Sequence, residues 1–237
     1  MMTARLGAAL LGVTLVLVAC SDPKGMASYE SVALDTNDQK ASYGIGLNVG
    51  QQIVDTRDRL DRAAFMRGIE DALQTADPAI PRQELQTVLV AFGEEIQAAA
   101  AETRTRTAEE NAEAGTAYLA ENGAREGIVT TESGLQYEVL VQGEGATPTR
   151  EDQVRLHYRG TLIDGTEFDT SYDGDPVVFA AGRLIAGFTE ALLLMQVVSH
   201  YRIVIPSDIA YGPGGSGAMI GPNAALVFEI ELFEIVE

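Results

Sequence analysis

Hydrophobic residues recur every three or four positions after residue 38, which is the spacing of one face of an α-helix. Asp38, a residue type that caps helix N-termini, precedes the pattern. The face is formed by Tyr43, Leu47, Gln51 and Val54. Another stripe of the same segment holds small residues: Ala41, Gly44, Gly46 and Gly50. We therefore predict a first helix that a second helix can approach closely.

Two more helices are predicted between residues 61 and 122. The first, over 62–73, has Asp61 as its N-cap, and the proline-containing segment 76–81 ends it. Its apolar face holds Phe65, Ile69 and Leu73. The next begins near Pro81, because the fixed φ of proline suits a first helical turn. Its apolar residues are spaced by four, three and four positions, as in a coiled coil: Leu85, Leu89, Phe92 and Ile96.

Beyond Ala98 this third helix loses its apolar face, since no large apolar residue occurs before Ala117. A helix that continued to Asn122 would be ~60 Å long. We expect it to be polar all round and to bridge two domains through solvent. The alternative is that the helices pack on the carboxy-terminal domain of the same chain, but the stretch 102–113 offers no evident face for that.

The pattern changes to strict alternation after residue 150. Residues 153–162 place Val154, Leu156, Tyr158 and Leu162 on one face, and residues 226–233 do the same with Leu226, Phe228, Ile230 and Leu232. Asp164-Gly165 is a hairpin signal. Further strands are predicted at 167–169, 177–179 and 200–205, with one helix at 186–196 and a Gly-rich loop at 211–223. The chain is therefore predicted to be an α+β protein, helical first and β-rich second.

Charge narrows the choice of partners. The 237 residues include 35 acidic and 16 basic side chains, a net charge of −19. Such a surface repels phosphate backbones, so nucleic acid is a poor partner. The 46% hydrophobic content is that of a globular protein.

The amino terminus carries an export pattern. Residues 1–19 have one charge, Arg5, before an apolar run at 6–18, which is typical of a signal peptide and too short for a permanent membrane span. The sole cysteine, Cys20, follows in a segment that resembles a bacterial lipobox, so we predict its lipidation. The alternative is an incidental or buried cysteine. We expect an exported protein that is anchored to a bacterial membrane, most readily the outer membrane, facing the periplasm or the surface.

Reaction chemistry of the nucleophilic or metal-dependent kind is not evident. His157 and His200 fall by strand parity on polar faces, away from Tyr158 and Tyr201. The sequence has no His/Cys cluster with zinc spacing, and the loop 211–223 lacks the lysine and following helix of a phosphate cradle. We therefore expect no metal and no cofactor, and interpret the loop as a turn-rich flap.

Five ordered blocks resemble the FKBP-type peptidyl-prolyl isomerases: YRG at 158–160, DGTEFD at 164–169, RLIAGF at 183–188, AYG at 210–212 and GPNAALVFE at 221–229. QKASYGIG at 39–46, with the helices after it, is similar to the dimerising region of Mip and FkpA proteins. The resemblance implies a strongly bent antiparallel sheet wrapped around one short helix. A client's proline would enter the apolar cleft between them.

The site follows residue by residue from the resemblance. The implied catalytic residues are Tyr158, Phe168, Asp169, Ile185 through its amide, Phe188, Tyr211 and Phe228. The implied substrate-binding residues are Val177, Phe179, Leu184 and Ile220. The alternating pattern of each strand independently places Tyr158 and Phe228 on core faces. The alternative is that the aromatic residues only pack in the core and have no role in binding.

Three positions depart from the family pattern. The cleft floor, most often Trp, is Phe188; Val177 replaces a common aromatic residue; and Val198 stands where Gly usually precedes a strand. The pocket stays apolar and should still bind proline, but it has fewer rings, which bears on catalytic strength and on affinity for macrolide inhibitors.

The resemblance implies an isomerase of Xaa-Pro bonds in exported proteins, acting without a covalent step. Two alternatives are a periplasmic chaperone or scaffold for proline-containing segments, whose dimer arms cradle a client, and a small-ligand lipoprotein receptor. We expect a homodimer through the amino-terminal helices. The predicted division is a signal peptide (1–19), a flexible lipid-anchored linker (20–37), a helical dimerisation domain (38–80), a connecting helix (81–124) and an isomerase domain (125–237).

Overall fold

The computed structural model describes residues 32–236, so the predicted signal peptide and Cys20 lie outside the described residues. The chain divides into two compact units, the first ending at Phe92 and the second beginning at Gly93. No helix among residues 32–236 is long and apolar enough to cross a membrane.

The first unit is helical, as predicted. It contains α1 (Asn37–Gln52), α2 (Arg62–Leu73) and the start of α3 (Arg82–Gly123). Asp61 caps α2 by accepting the Ala64 N–H at 3.0 Å. The cap of α1 is Thr36 and not Asp38. The Thr36 Oγ1 accepts the Gln39 N–H at 3.2 Å and the Gln39 Oε1 accepts the Thr36 N–H at 3.0 Å, which is a capping box.

Apolar side chains of this unit remain at its surface. Neither α1 nor α2 buries a single residue. Leu47 is 47% exposed, Leu73 76% and Leu89 66%. One aromatic ring is covered by a cation, since the Arg59 guanidinium lies 4.8 Å from the centroid of Phe92. In a single copy of the chain, the helical unit therefore exposes an apolar surface to solvent.

The second unit is built on one antiparallel sheet of seven strands. Its order is β1-β2-β6-β7-β3-β4, and β5 pairs with β3 beside β4. Register shifts in β3 at 155/156 and 160/161 and in β2 at 139/141 are bulges that bend the sheet. The strands are β1 (Ile128–Thr130), β2 (Gln136–Val141), β3 (Gln153–Leu162), β4 (Glu167–Thr170), β5 (Val177–Ala180), β6 (Ser199–Ile205) and β7 (Leu226–Val236).

The core lies between this sheet and helix α4 (Ala186–Leu192). The β7 residues that the alternating pattern placed on the core face are each at most 5% exposed, which confirms that prediction: Leu226, Phe228, Ile230 and Leu232. Gly187 brings the helix against β6, because a Cβ there would lie 2.4 Å from Ile205 Cγ2. The expectation that α4 reaches residue 196 is wrong. The helix ends at Leu192, a tight turn follows in which the Met195 N–H donates to the Leu192 carbonyl, and the Met195 side chain is completely buried in the core. The predicted α+β fold, helices followed by a bent sheet around one short helix, is confirmed.

The second half of α3 belongs to this unit and has a packing face, contrary to our expectation of a helix polar all round. Its contact residues follow steps of four and three like an apolar seam, but they are small or hydrogen-bonding: Arg104, Ala108, Asn111, Gly115, Tyr118 and Asn122. The Tyr118 hydroxyl accepts from Arg202 at 3.0 Å, and the Asn122 amide donates to the Gln136 Oε1 at 2.8 Å. Polar residues thus dock the helix where apolar ones were absent.

Val198 is held in a left-handed backbone conformation, with φ of 64°. That conformation costs a residue with a Cβ about 1–2 kcal/mol and is rarer still for a β-branched one. Its side chain is 67% exposed, so it gains little from burial. We expect Val198→Gly to raise the free energy of unfolding by about 0.5–1 kcal/mol, after the entropy cost of glycine. Thermal unfolding should shift upward by ~1–4 °C.

Val178→Gly is the matched control, because Val178 is also half-exposed but its φ is not positive. That change should lower stability, as glycine in a strand does. A Val198→Gly variant that melts at or below the wild-type temperature would contradict the assignment of strain to this residue.

Candidate active site

Aromatic rings meet at one end of the core. Phe188 of α4 and Phe228 of β7 are 4% and 5% exposed, and their ring centroids lie 5.1 Å apart in an edge-to-face arrangement. The Tyr158 ring of β3 lies 6.2 Å from Phe188, and the Phe168 ring of β4 lies 5.6 Å from Phe228. These are favourable aromatic distances. Phe188 and Phe228 therefore form a floor, with the half-buried Tyr158 and Phe168 at its edge.

Gly160 makes this arrangement possible, and sequence reasoning assigned it no role. It lies on β3 two residues after Tyr158, on the same face of the strand. A Cβ there would lie 2.6 Å from Phe168 Cε2 and 2.8 Å from Phe228 Cε1. Only glycine lets both rings lie over the strand. The available signal was a glycine interrupting an otherwise alternating strand.

Tyr158 and Asp169 form the polar rim. They come from neighbouring strands, and the Tyr158 hydroxyl donates to the Asp169 Oδ2 at 2.5 Å. Burial, the hydrogen bond and charge of Asp169, and the nearby Tyr211 phenol together raise the pKa of Tyr158 well above its ordinary value. Tyr158 is therefore a neutral hydrogen-bond donor at physiological pH, and its bond fixes the orientation of the Asp169 carboxylate.

The remaining predicted residues surround the same rings. Val177, Phe179, Leu184 and Ile185 are partly buried against the core that contains Phe188 and Phe228. The Phe179 ring lies 5.7 Å from Tyr158. Ile185 precedes α4, and its carbonyl accepts the Thr189 N–H at 3.0 Å. The structure gives the Ile185 N–H no acceptor among residues 32–236.

The flap, residues 211–223, supplies the last two predicted residues. Tyr211 is 39% exposed, and Ile220 is 7% exposed within the core cluster. Ser216 and Ile220 exchange backbone hydrogen bonds of 2.8 and 3.1 Å, which close the tip of the flap. All eleven sequence-predicted residues therefore lie around one aromatic cluster.

The two histidines lie elsewhere. His157 Nδ1 is 2.9 Å from the Ser171 hydroxyl, and its ring stacks on Tyr172 at 4.6 Å. His200 lies opposite Glu231 in the register of strands β6 and β7, and its buried Nε2 has no hydrogen-bond partner among residues 32–236. Among residues 32–236, no three His, Cys, Asp or Glu side chains are grouped so as to hold a metal ion.

A bent antiparallel sheet, one short helix, an aromatic floor and a Tyr/Asp rim are the features that the sequence's resemblance to FKBP-type isomerases implies. Comparison with known proteins agrees. The family described as "FKBP-type peptidyl-prolyl cis-trans isomerase" matches residues 144–233, and "Domain amino terminal to FKBP-type peptidyl-prolyl isomerase" matches residues 38–139. The chain belongs to the FKBP-type peptidyl-prolyl cis-trans isomerase family.

Similar proteins cover almost the whole chain. The FKBP-type 22 kDa peptidyl-prolyl cis-trans isomerase of Escherichia coli (strain K12) is 46% identical over 85% of this chain and 97% of the relative. The outer membrane protein MIP of Legionella longbeachae is 35% identical over 94% of this chain and 96% of its own length. The crystal structure of FkpA from Escherichia coli has a TM-score of 0.65 at 32% identity, covering 86% of this chain and 98% of FkpA. The predicted isomerase activity and the likeness to Mip and FkpA are thus confirmed.

Proposed function

We propose that the cleft over Phe188 and Phe228 binds the proline ring of a client and isomerises the preceding peptide bond in exported proteins. The observation that carries this proposal is the convergence of rings from β3, β4 and β7 and from α4 beneath an open polar rim. The client's proline ring is held in this cleft by the four aromatic residues Phe188, Phe228, Tyr158 and Phe168. The outer wall of the cleft is formed by Phe179, Val177, Leu184 and Ile220.

Catalysis needs no covalent step. Rotation about a peptide bond is opposed by ~18–20 kcal/mol, because the planar form shares charge between nitrogen and carbonyl. Water favours that charge-separated form, and an apolar cleft does not. Moving the bond onto the Phe188 and Phe228 rings therefore raises the free energy of the planar state relative to the twisted state. Each 1.36 kcal/mol of this difference accelerates exchange about tenfold.

Polar groups orient the client. The Ile185 N–H and the Tyr211 hydroxyl are proposed to donate to client carbonyls on either side of the proline. Asp169 accepts from Tyr158 at 2.5 Å, so its carboxylate is held toward the rim, where it orients the twisted carbonyl region. A tyrosine is protonated at neutral pH in any case, and the raised pKa of Tyr158 extends its role as hydrogen-bond donor to Asp169 into alkaline solution.

A peptide titration tests the site. Adding a tetrapeptide with one Leu-Pro bond to residues 21–237 should shift the NMR signals of Tyr158, Ile185, Tyr211 and Phe228. The ring signals of His157 and Tyr172 serve as internal controls, because these side chains stack on each other away from the aromatic floor. Shifts confined to His157 and Tyr172 would contradict the assignment.

A macrolide that occupies the same cleft should displace the peptide. Its affinity should be limited because Phe188 stands at the cleft floor where the family most often has Trp.

We further propose that residues 38–80 and the start of α3 form a homodimer, with 81–124 as connecting helix and 125–237 as isomerase domain. The apolar faces of α1 and α2, on which no residue is buried, support this, as does the match of residues 38–139 to the family's amino-terminal domain. The second candidate is a chaperone role, in which paired clefts hold proline-containing segments with little isomerisation. It is favoured by two positions of the cleft where the family commonly has a larger aromatic side chain, Val177 and Phe188.

A receptor for ions or sugars is disfavoured, because Asp169 is the only charged residue that we propose for the cleft.

Anchoring by lipid at Cys20 and export to the outer membrane, facing the periplasm or surface, complete the proposal. The signal-like residues 1–19 and the relative named outer membrane protein MIP support it. Labelling of the full chain in a bacterial host with a palmitate analogue tests it, with Cys20→Ser as the unlabelled control. Wild-type protein that is unlabelled and wholly in the soluble fraction would contradict it.

A further inference from the structure

Four side-chain hydrogen bonds tie the flap to α3. The Arg104 Nη2 donates to the Gly214 carbonyl at 2.9 Å and, more weakly, to the Pro213 carbonyl at 3.4 Å. The Asn111 Nδ2 donates to the Pro222 carbonyl at 2.8 Å. In the other direction, the Asn223 Nδ2 donates to the Ala108 carbonyl at 3.3 Å. The two ends of the flap are thus bonded to a helix more than a hundred positions earlier in the chain.

The flap backbone is shaped for these contacts. A Cβ on Gly221 would lie 2.9 Å from the Asn111 Nδ2 and 3.5 Å from Thr107 Cγ2, so glycine lets the helix side chain approach. Asn223 has a φ of 56°, in the left-handed region that Asn tolerates better than most residues. Its N–H donates to the Gly212 carbonyl at 2.9 Å and closes the loop.

Apart from these bonds to α3, the flap has backbone hydrogen bonds within itself and few side chains packed in the core. Ile220 is its only buried side chain, and Met219 beside it is 51% exposed. A glycine-rich segment with few buried apolar contacts belongs to the least stable part of a fold. The bonds from Arg104 and Asn111 are therefore a large part of what fixes the backbone that carries Tyr211 and Ile220.

We propose that Arg104 and Asn111 are positioning residues for isomerisation: they hold the flap in the conformation that presents Tyr211 and Ile220 to the client. The inference rests on the site proposed above. Neither residue touches the client, so its loss lowers the fraction of molecules with a competent flap. Apparent affinity falls in proportion to that fraction. The effect therefore appears in KM, while bond rotation in the bound client is little changed.

The test uses residues 21–237 with a tetrapeptide containing one Leu-Pro bond. Arg104→Ala and Asn111→Ala should each raise KM about two- to fivefold, with kcat within about twofold of wild type. Fivefold is the upper limit for losing one ordinary hydrogen bond, because KM rises only as the fraction of molecules with a competent flap falls. Arg104→Lys keeps a donor and should recover most of the affinity. Arg106→Ala is the matched control, since Arg106 lies on the same helix, is exposed, and contacts only Glu110 of that helix at 3.8 Å.

Amide hydrogen exchange separates positioning from general destabilisation. In Arg104→Ala and Asn111→Ala, the Ile220 and Asn223 amides should exchange faster while the core amide of Ile230 in β7 is unchanged. Wild-type KM in both variants, or an equal acceleration at Ile230, overturns the proposal. So does faster flap exchange with unchanged KM. Wild-type protein without isomerase activity would instead overturn the proposed site, before any variant is compared.

Discussion

Phe188→Ala should reduce kcat/KM for a Leu-Pro peptide about ten- to hundredfold. Phe188 is the floor of the cleft, 4% exposed and in edge-to-face contact with Phe228 and Tyr158. Without this floor, water reaches the bound peptide bond and again favours its planar, charge-separated form, so the free-energy difference that drives rotation is lost. Every 1.36 kcal/mol of that difference is tenfold in rate. A protease-coupled or NMR exchange assay on residues 21–237 measures it.

Two further variants keep this experiment interpretable. Truncating a buried Phe costs about 3–5 kcal/mol of stability, so Phe188→Leu, which fills more of the space without a ring, should show the same direction of effect in a folded protein. Leu232→Ala is the matched control, because Leu232 is 1% exposed in the core but lies in no aromatic pair of the cleft. It should lose stability and keep its rate. Equal losses of rate in Phe188→Leu and Leu232→Ala would show that the floor has no special role in catalysis.

Leu89→Glu should convert the proposed dimer of residues 21–237 to a monomer. Leu89 is 66% exposed in one copy and lies in an apolar groove of the helical unit with Pro78, Leu85 and Val90. In a two-fold symmetric interface one substitution changes both copies. Losing two buried leucines costs about 3–6 kcal/mol, before the penalty for two buried carboxylates. The dimer dissociation constant should therefore rise at least about hundredfold.

Light scattering of residues 21–237 at tens of micromolar measures this directly. Wild type should have twice the mass of the Leu89→Glu variant. Leu194→Glu is the control, because Leu194 is an exposed leucine of the isomerase unit, at 41%, outside the proposed interface. It should remain a dimer. A wild-type protein with monomer mass contradicts the dimer and removes the paired-cleft version of the chaperone function.

Local patterns were sufficient for much of the fold. The Asp61 cap and the apolar steps of Phe65, Ile69 and Leu73 predicted α2 to the residue, because helix periodicity and capping are short-range effects. Alternation predicted the buried faces of β3 and β7 for the same reason. The capping box at Thr36 is present in the sequence, as Thr followed three residues later by Gln, but the prediction placed the cap at Asp38.

The sequence by itself determined the fold class and the order of the later elements, because periodicity is a local property, but it did not indicate the short strand β1 or its neighbour β2. The side chains around the cleft were indicated by the resemblance of the ordered motifs to a known family. Only the tertiary structure decided the rest. The Tyr158–Asp169 bond, the room that Gly160 leaves for two rings, and the docking of Arg104 and Asn111 on the flap are contacts between different elements. A polar helix face has no hydrophobic signature, because its partners are backbone carbonyls and a few polar side chains. Which of these groups it meets depends on how distant segments fold together, and no local pattern records that.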